Sequence, residues 1–539
     1  MNTFSIKKRL VALAAATALV AGITTSVPAQ AADPACSTAS FITTCVGTTS
    51  DTAPYMFLTT PAFNGTVLLW SHGLRPNVDI PAGIPNYGGY KVLNTPEPAP
   101  DGDKAVIAAL LGAGYGIAGS GFSRQGVNVQ QAVATNVELI GIFKKKHPTT
   151  TKVVAWGASL GTLITQTLAE KHPTLVDAVA LMCPATAPTE ALTSYFGDFM
   201  WGFKTFFDPS IKGFGYSAGA AGYAEAMGDL VKFFTALGKL QAGLVSGAWP
   251  DTSSAGGKAL QAAGIPSRSA LTLIGIMAGV PLRSEHIDGT SGPAGLEQSF
   301  PLAIAPAVAV LENAGTVGLA EVLLMSDAEA QTGGVVFDNT KTDYAARVEA
   351  DKDVYAFALS GNDAVNAMLG VLAASPKVTG SADAIAKAKT LLSISGSVKH
   401  PTVMVTTESD QFTVAGAGQW MIDGYAEQLA EEKAAAFKAY KTTRTYTAPK
   451  NNLVALWDKT AASYTKFTAA GSPDLGATRG KGTGHCKYTP AQFVAVAKMA
   501  ANAANNGTFP NGGTIATAAR KVGLSYDKNF QVPTFKSLE

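Results

Sequence analysis

The chain has 539 residues, 47% of them apolar, which is enough for two or three domains' worth of buried core. A formal net charge of +2 with only 15% charged residues argues against a nucleic-acid binder, which would carry a basic stripe. It also excludes the weakly hydrophobic, highly charged composition of disordered chains, so a compact globular protein is expected.

Lys7, Lys8 and Arg9 precede an apolar run over 10–21, and Ala29-Gln30-Ala31 follows. These are the basic, apolar and cleavage regions of a signal peptide covering 1–31. The apolar run is too short for a bilayer. No later stretch combines that length with that lack of charge, so an exported, extracellular protein without a stable membrane anchor after processing is expected. Four cysteines remain after cleavage: Cys36, Cys45, Cys183 and Cys486. Export permits disulfides, and three pairings are open. The favoured one clips Cys36 to Cys45 near the new N-terminus and leaves Cys183 with Cys486. Neither C-x-x-C nor H-E-x-x-H occurs, so no cofactor and no bound metal are expected.

Residues 53–60 read as an early strand. Residues 65–70 read as a buried strand entering Ser71-His72-Gly73-Leu74. A strand followed at once by His-Gly has the form of a loop that donates to an oxyanion, here through the amide of Leu74, with His72 as a structural residue. Residues 75–101, rich in Pro, Gly and Asn, form a loop over that edge. A helix is expected over 104–111 and a strand over 115–119. The loop 120–126 follows, in which Arg124 and Gln125 are candidate substrate contacts. Val133, Val137, Ile140 and Phe143 share one side of a helix over 128–146, which His147-Pro148 stops.

The stretch Lys152-Val-Val-Ala-Trp-Gly-Ala-Ser-Leu-Gly161 organises the rest. It reads as a buried strand, a G-x-S-x-G turn and a helix over 162–171, the setting that a nucleophilic serine requires. Glycines two residues either side of Ser159 permit a turn sharp enough to present its hydroxyl at the carboxyl edge of a sheet. The amide of Leu160, at the helix start, is a second oxyanion donor. A second match, Gly215-Tyr-Ser217-Ala-Gly219, follows a turn-rich segment with no strand and is read as coincidental. Another strand over 178–182 ends at Cys183-Pro184. Strands thus alternate with helices from 66 to 184, which means a mainly parallel sheet covered on both faces.

Over 189–398 the alternation stops. Helices are expected near 223–237, 302–324, 344–357, 365–374 and 382–392, which together read as a mostly helical cap inserted in the sheet domain. The sheet resumes at 401–406 and runs into Thr407-Glu408-Ser409-Asp410. A helical insertion over 420–440, a last strand over 475–479, a Gly-rich loop with His485-Cys486 and a helix over 490–504 follow. The tail after Gly507 reads as loop. The organisation expected is a signal peptide (1–31), a core in two parts (32–188 and 399–539) and the cap (189–398).

A serine hydroxyl needs a positioned base. Of six histidines, His147, His172 and His400 precede proline at the amino-terminal edge, His286 lies in the cap and His72 on the oxyanion loop. His485, between the last strand and the last helix, is the expected base. Its orienting acid is Asp410 or, as the rival two residues earlier, Glu408; Asp410 is preferred because it lies further from the strand end.

In the order Ser159, Asp410, His485 the chain resembles the α/β-hydrolase superfamily, especially exported bacterial serine esterases and peptidases. The resemblance covers 54–186 and 400–506. It implies an α/β-hydrolase fold, attack by Ser159, proton transfer by His485 with Asp410, and an oxyanion hole from the amides of Leu74 and Leu160. His485-Cys486 is also similar to the His-Cys step of tannases and feruloyl esterases. There the cysteine beside the base bonds to one just before the nucleophile. That position is Ala158 in this chain, and Cys183 is the candidate substitute. The activity expected is hydrolysis of a small-molecule carboxylic ester. The alternative is an aminopeptidase-like serine peptidase, in which Glu285 and Asp288 of the cap are candidates to hold an ammonium.

Overall fold

The computed structural model describes residues 33–538 apart from Asn86 and Ser393. The segment 1–31, read as a signal peptide, lies outside them. Nine strands form one sheet: β1 (Ala35–Ala39), β2 (Ile42–Thr48), β3 (Pro54–Thr59), β4 (Thr66–Ser71), β5 (Gly116–Ser120), β6 (Lys152–Ser159), β7 (Ala178–Pro184), β8 (Thr402–Thr407) and β9 (Leu453–Asp458). Their order is β1-β2-β3-β5-β4-β6-β7-β8-β9. β1, β2 and β3 pair antiparallel at one edge. From β5 to β9 every pairing is parallel.

The central strands are apolar on both faces because both faces are covered. Successive side chains of a strand point to opposite sides. Leu68 and Trp70 of β4 and Val154 and Trp156 of β6 pack on the same side as α1 (Lys104–Gly112). Val67, Leu69, Val153 and Ala155 pack on the other, against α2 (Val129–Lys146) and α3 (Leu160–Lys171). The Trp70 and Trp156 rings meet edge to face at 4.6 Å. Local signals set the helix starts: Asp103 accepts from the amides of Ala105 and Val106 at 2.7 and 2.9 Å, capping α1.

Between β7 and β8 the chain leaves the sheet to build the helical cap. Among the described residues its helices are α4 (Thr189–Phe206), α5 (Gly219–Gly243), α6 (Ala255–Ala262), α7 (Ser267–Ala278), α8 (Ser299–Ala303), α9 (Ala305–Thr332), α10 (Tyr344–Glu349), α11 (Ala356–Leu359), α12 (Asn362–Ala374) and α13 (Ala382–Leu392). Phe199 and Phe203 of α4 pack on Phe233 of α5, all fully buried. Burial of each such ring stabilises the cap by roughly 1.5–3 kcal/mol. Asp327 of α9, also buried, bolts the cap to the sheet layer. It accepts from Asn77 Nδ2 at 2.7 Å and from the amide of Val127 at 2.6 Å, and it pairs with Arg124.

The structure corrects several expectations. The last strand is Leu453–Asp458 rather than 475–479; the latter segment is turn and loop, with Leu475 44% exposed. A strand covered on both faces, even at the edge of the sheet, needs a continuous apolar run, which Leu453-Val-Ala-Leu-Trp457 supplies and 475–479 does not. The helix expected over 344–357 is broken into α10 and α11, and α6 and α7 were not anticipated. The long helix α14 (Ala415–Thr443) joins β8 to β9. Helix α15 (Pro490–Asn506) opens on a capping box between Thr489 and Gln492. The tail is not all loop: Asn511 caps α16 (Gly512–Lys521), which buries Ile515 and Ala519. Nor is the first apolar run the longest. α9 is long and apolar enough, by length and composition, to cross a membrane, yet most of it is buried inside the cap.

Candidate active site

Ser159 stands at the junction of β6 and α3 with φ 56° and ψ −130°, a strained backbone for a residue with a side chain. The register with β7 shifts between Ala158 and Ser159. Both flanking glycines are required by close approach. A Cβ on Gly157 would sit 2.5 Å from the carbonyl oxygen of Gly161, and one on Gly161 would collide with that of Ser71. The loop over 71–74 passes directly over the serine: a Cβ on Gly73 would lie 3.2 Å from Ser159 Cβ.

The structure brings Ser159, Asp410 and His485 together. Ser159 Oγ lies 2.9 Å from His485 Nε2. His485 Nδ1 is 3.0 Å from both carboxylate oxygens of Asp410, which is fully buried. Facing that carboxylate, Nδ1 carries the proton and donates, so Nε2 is free to accept from the serine hydroxyl. Asp410 also accepts from the amides of Phe412 and Thr413 at 2.8 and 2.9 Å and from Thr413 Oγ1 at 3.0 Å. The rival Glu408 is occupied elsewhere: it accepts from the amide of Thr460 at 2.8 Å and faces Arg283 at 4.0 Å.

His485 is held on several sides. Phe412 packs against its imidazole, tilted by 30°, at 4.6 Å between ring centroids. Cys486, the next residue, is disulfide-bonded to Cys183 at the end of β7. Cys36 is bonded to Cys45 across the β1–β2 hairpin. Tyr488, overlooked in the sequence, lies beneath this arrangement. Its hydroxyl donates to the carbonyl of Val405 at 3.0 Å, and it accepts from the amide of Cys183 at 3.1 Å and from Thr407 Oγ1 at 2.9 Å. It thus ties β7, β8 and the base loop together. Side-chain atoms of Cys183, Asp410, His485 and Cys486 fall within 4.8 Å of one another, but both sulfurs are consumed in the disulfide and therefore cannot serve as thiolate ligands.

The remaining histidines are placed otherwise. His72 is buried, and burial together with the Arg75 charge holds its pKa down to about 3, so it is a neutral ring. Its Nδ1 lies 2.7 Å from the carbonyl of Gly73, bracing the loop over 71–74. His286 pairs with Glu312 at 2.6 Å within the cap. His147 and His172 end α2 and α3, and His400 precedes β8.

A cavity of about 530 Å³ opens beside Ser159 and His485. Its walls include Leu74 from the oxyanion loop, Arg75, Glu97 and Asp101 from the loop over the edge, and Thr316, Leu319 and Leu323 from α9. A second, smaller and apolar crevice shares Leu74 and Phe412 with it and includes Leu160. Arg124 and Gln125 line neither. Arg124 is spent on Asp327 and on the carbonyls of Gln125 and Val127, while buried Gln125 donates to the carbonyl of Gly121 at 2.7 Å. Both are structural, and the residues that do line the cavity from 75 to 101 went unsingled because a Pro- and Gly-rich loop has no periodicity to read. Ser217 is exposed and hydrogen-bonds to Glu225 at 2.9 Å in the cap.

Residues 119–214 match the family model described as alpha/beta hydrolase fold. No curated protein matches the sequence. Among solved structures, feruloyl esterase B from Aspergillus oryzae is similar at 13% identity, with 87% of this chain and 82% of that chain covered and a TM-score of 0.35. A ligand-bound form of the rice cell wall degrading esterase LipA from Xanthomonas oryzae is similar at 12% identity, 78% and 82% coverage and a TM-score of 0.29. The serine hydrolase CCSP0084 from Cycloclasticus zankles is similar at 12% identity, 88% and 95% coverage and a TM-score of 0.27. The matched segment carries β6, the sharp turn at Ser159 and β7, and the sheet around it has the parallel order that such a turn needs: the chain has an α/β-hydrolase fold.

Proposed function

We propose that this protein is an exported serine hydrolase that cleaves carboxylic esters through an acyl-enzyme. The observation that carries the reading is the contact chain Ser159 Oγ to His485 Nε2 at 2.9 Å and His485 Nδ1 to buried Asp410 at 3.0 Å, on the wall of a cavity. Ser159 Oγ attacks the ester carbonyl while Nε2 takes its proton, and Asp410 steadies the imidazolium. The amides of Leu74 and Leu160 hold the oxyanion of the tetrahedral intermediate. Collapse expels the alcohol, which receives the proton from Nε2. Water, activated by the same nitrogen, then releases the acid.

Export is supported by the Lys7–Arg9 and Ala29-Gln30-Ala31 pattern and by two disulfides, which persist in oxidising surroundings. The test is labelling of the purified protein with a fluorophosphonate, followed by peptide mapping and a panel of p-nitrophenyl esters and aminoacyl-nitroanilides. The label is expected on Ser159, with turnover of esters well above anilides. Labelling at another serine, or none, overturns the reading.

A further inference from the structure

The cavity beside Ser159 carries five acidic or basic side chains besides its histidines: Arg75, Glu97, Asp101, Glu285 and Lys487. Four of them compensate one another. Arg75 pairs with Glu97 at 2.5 Å, and Glu97 also accepts from Trp70 Nε1 at 3.0 Å and the amide of Asp101 at 2.9 Å. Burial and the Glu97 charge raise the Asp101 pKa above the ordinary carboxylate value, with the charges of Lys487 and Arg75 opposing them. Glu285 is left over: among the described residues nothing hydrogen-bonds to or pairs with its half-buried carboxylate.

That carboxylate is held in place without being neutralised. It packs flat on Gly484, the residue before His485, where a Cβ would collide with Oε1. The backbone carbonyl of Glu285 accepts from the amide of Gly480 at 2.7 Å. Tyr464 Oη donates to the carbonyls of Ser284 and Ile287 at 2.7 and 2.9 Å on either side. The nearby Asp288 shows the contrast. It is fully buried and accepts from the amides of Thr290, Ser291, Tyr464 and Thr465 at 2.6–2.8 Å, so it has nothing to offer a ligand.

A partly desolvated carboxylate without a partner costs free energy unless a cation meets it. The same cavity presents the aromatic rings of Trp70, Tyr87 and Phe493, whose faces attract cations as well. We infer that Glu285 recognises a cationic group, a protonated or quaternary amine, on the ester that Ser159 attacks. The assignment rests on the ester-hydrolase reading above and names the class of substrate for it.

Two matched pairs of esters test it, each differing only in charge. Acetylcholine, matched with neutral 3,3-dimethylbutyl acetate, places the cation on the alcohol side. p-Nitrophenyl 6-aminohexanoate and p-nitrophenyl heptanoate place it on the acyl side. In at least one pair the full-length protein should prefer the cationic member in kcat/KM, and Glu285→Gln, which keeps the contact with Gly484, should lower that ratio about tenfold. The ratio should also fall as salt is raised, whereas a merely structural role for Glu285 would not make it salt-dependent. Absence of any preference in both pairs, or a preference that survives Glu285→Gln, overturns the inference. If neither neutral ester is hydrolysed and Ser159 takes no label, it is the hydrolase reading that has failed.

Discussion

Ser409 and Thr483 are bridged as parallel strands, with the amide of Ser409 donating to the carbonyl of Gly482 at 3.0 Å and the amide of Gly484 donating to that of Ser409 at 2.9 Å. Asp410 and His485 are the residues next to this short ladder. Their contact is therefore enforced by main-chain hydrogen bonds rather than left to two side chains finding each other across separate loops. Asp410 and His485 are thus presented to Ser159 as one unit.

Replacement of Ser159 by alanine is expected to lower ester turnover by at least about 10³-fold. The thermal midpoint should hold or rise, since the strained turn keeps its glycines. Ser217→Ala is expected to leave rates within about twofold, as that exposed hydroxyl hydrogen-bonds to Glu225 in the cap. Steady-state kinetics and calorimetry on both variants check this.

Asp410→Asn is expected to reduce kcat by about 10³–10⁴-fold, because an amide that donates to Nδ1 leaves the wrong tautomer at Nε2. Glu408→Gln should cost far less, its carboxylate being engaged with Thr460. An equal loss in both variants would reassign the acid.

No free thiol should appear when the protein is unfolded without reductant. Removing the Cys183–Cys486 bond by Cys183→Ala with Cys486→Ala is expected to destabilise the fold by about 2–4 kcal/mol. It should lower kcat more than a Cys36→Ala, Cys45→Ala pair, which sits at the far sheet edge. Thiol titration, denaturant unfolding and kinetics on both double variants decide it.

Glu321 on α9 is fully buried, and neither carboxylate oxygen has a partner among the described residues. Burial, with Glu329 and Asp229 adding to it, raises its pKa well above the ordinary glutamate value, while Lys204 opposes them. In the unfolded chain the group ionises near its ordinary value, whereas the folded chain retains the proton. Its contribution to stability is thus intact in acid and is lost as pH rises above the ordinary glutamate value towards the raised one. Glu321→Gln is expected to raise the melting temperature at pH 8 and to give little gain at pH 4.

The sheet was legible where chemistry and periodicity coincide. The run Val153-Val154-Ala155-Trp156 before Gly157 could only be a buried strand entering a turn, and elimination among six histidines pointed to His485. The last strand was missed because a long loop from Lys459 to Gly484 separates β9 from His485, and the reading sought a strand immediately before that histidine. Arg124 looked like a substrate contact because its partner, Asp327, is 203 residues away along the chain. Glu285 could be singled out only by location, since whether a carboxylate is satisfied depends on neighbours that sequence does not reveal.

The grip of Asp327 has a consequence for traffic. Swinging the cap away would break the links of Asp327 to Asn77, Arg124 and Val127 at once, and water would have to replace all three. A hinge there is thus the least economical doorway. Molecules should come and go past the rim around Tyr87 and Asp101, where the wall is a loop with one short 3-10 turn at Pro100–Gly102, and the width of that rim rather than cap motion would then limit the bulk of what reaches the serine.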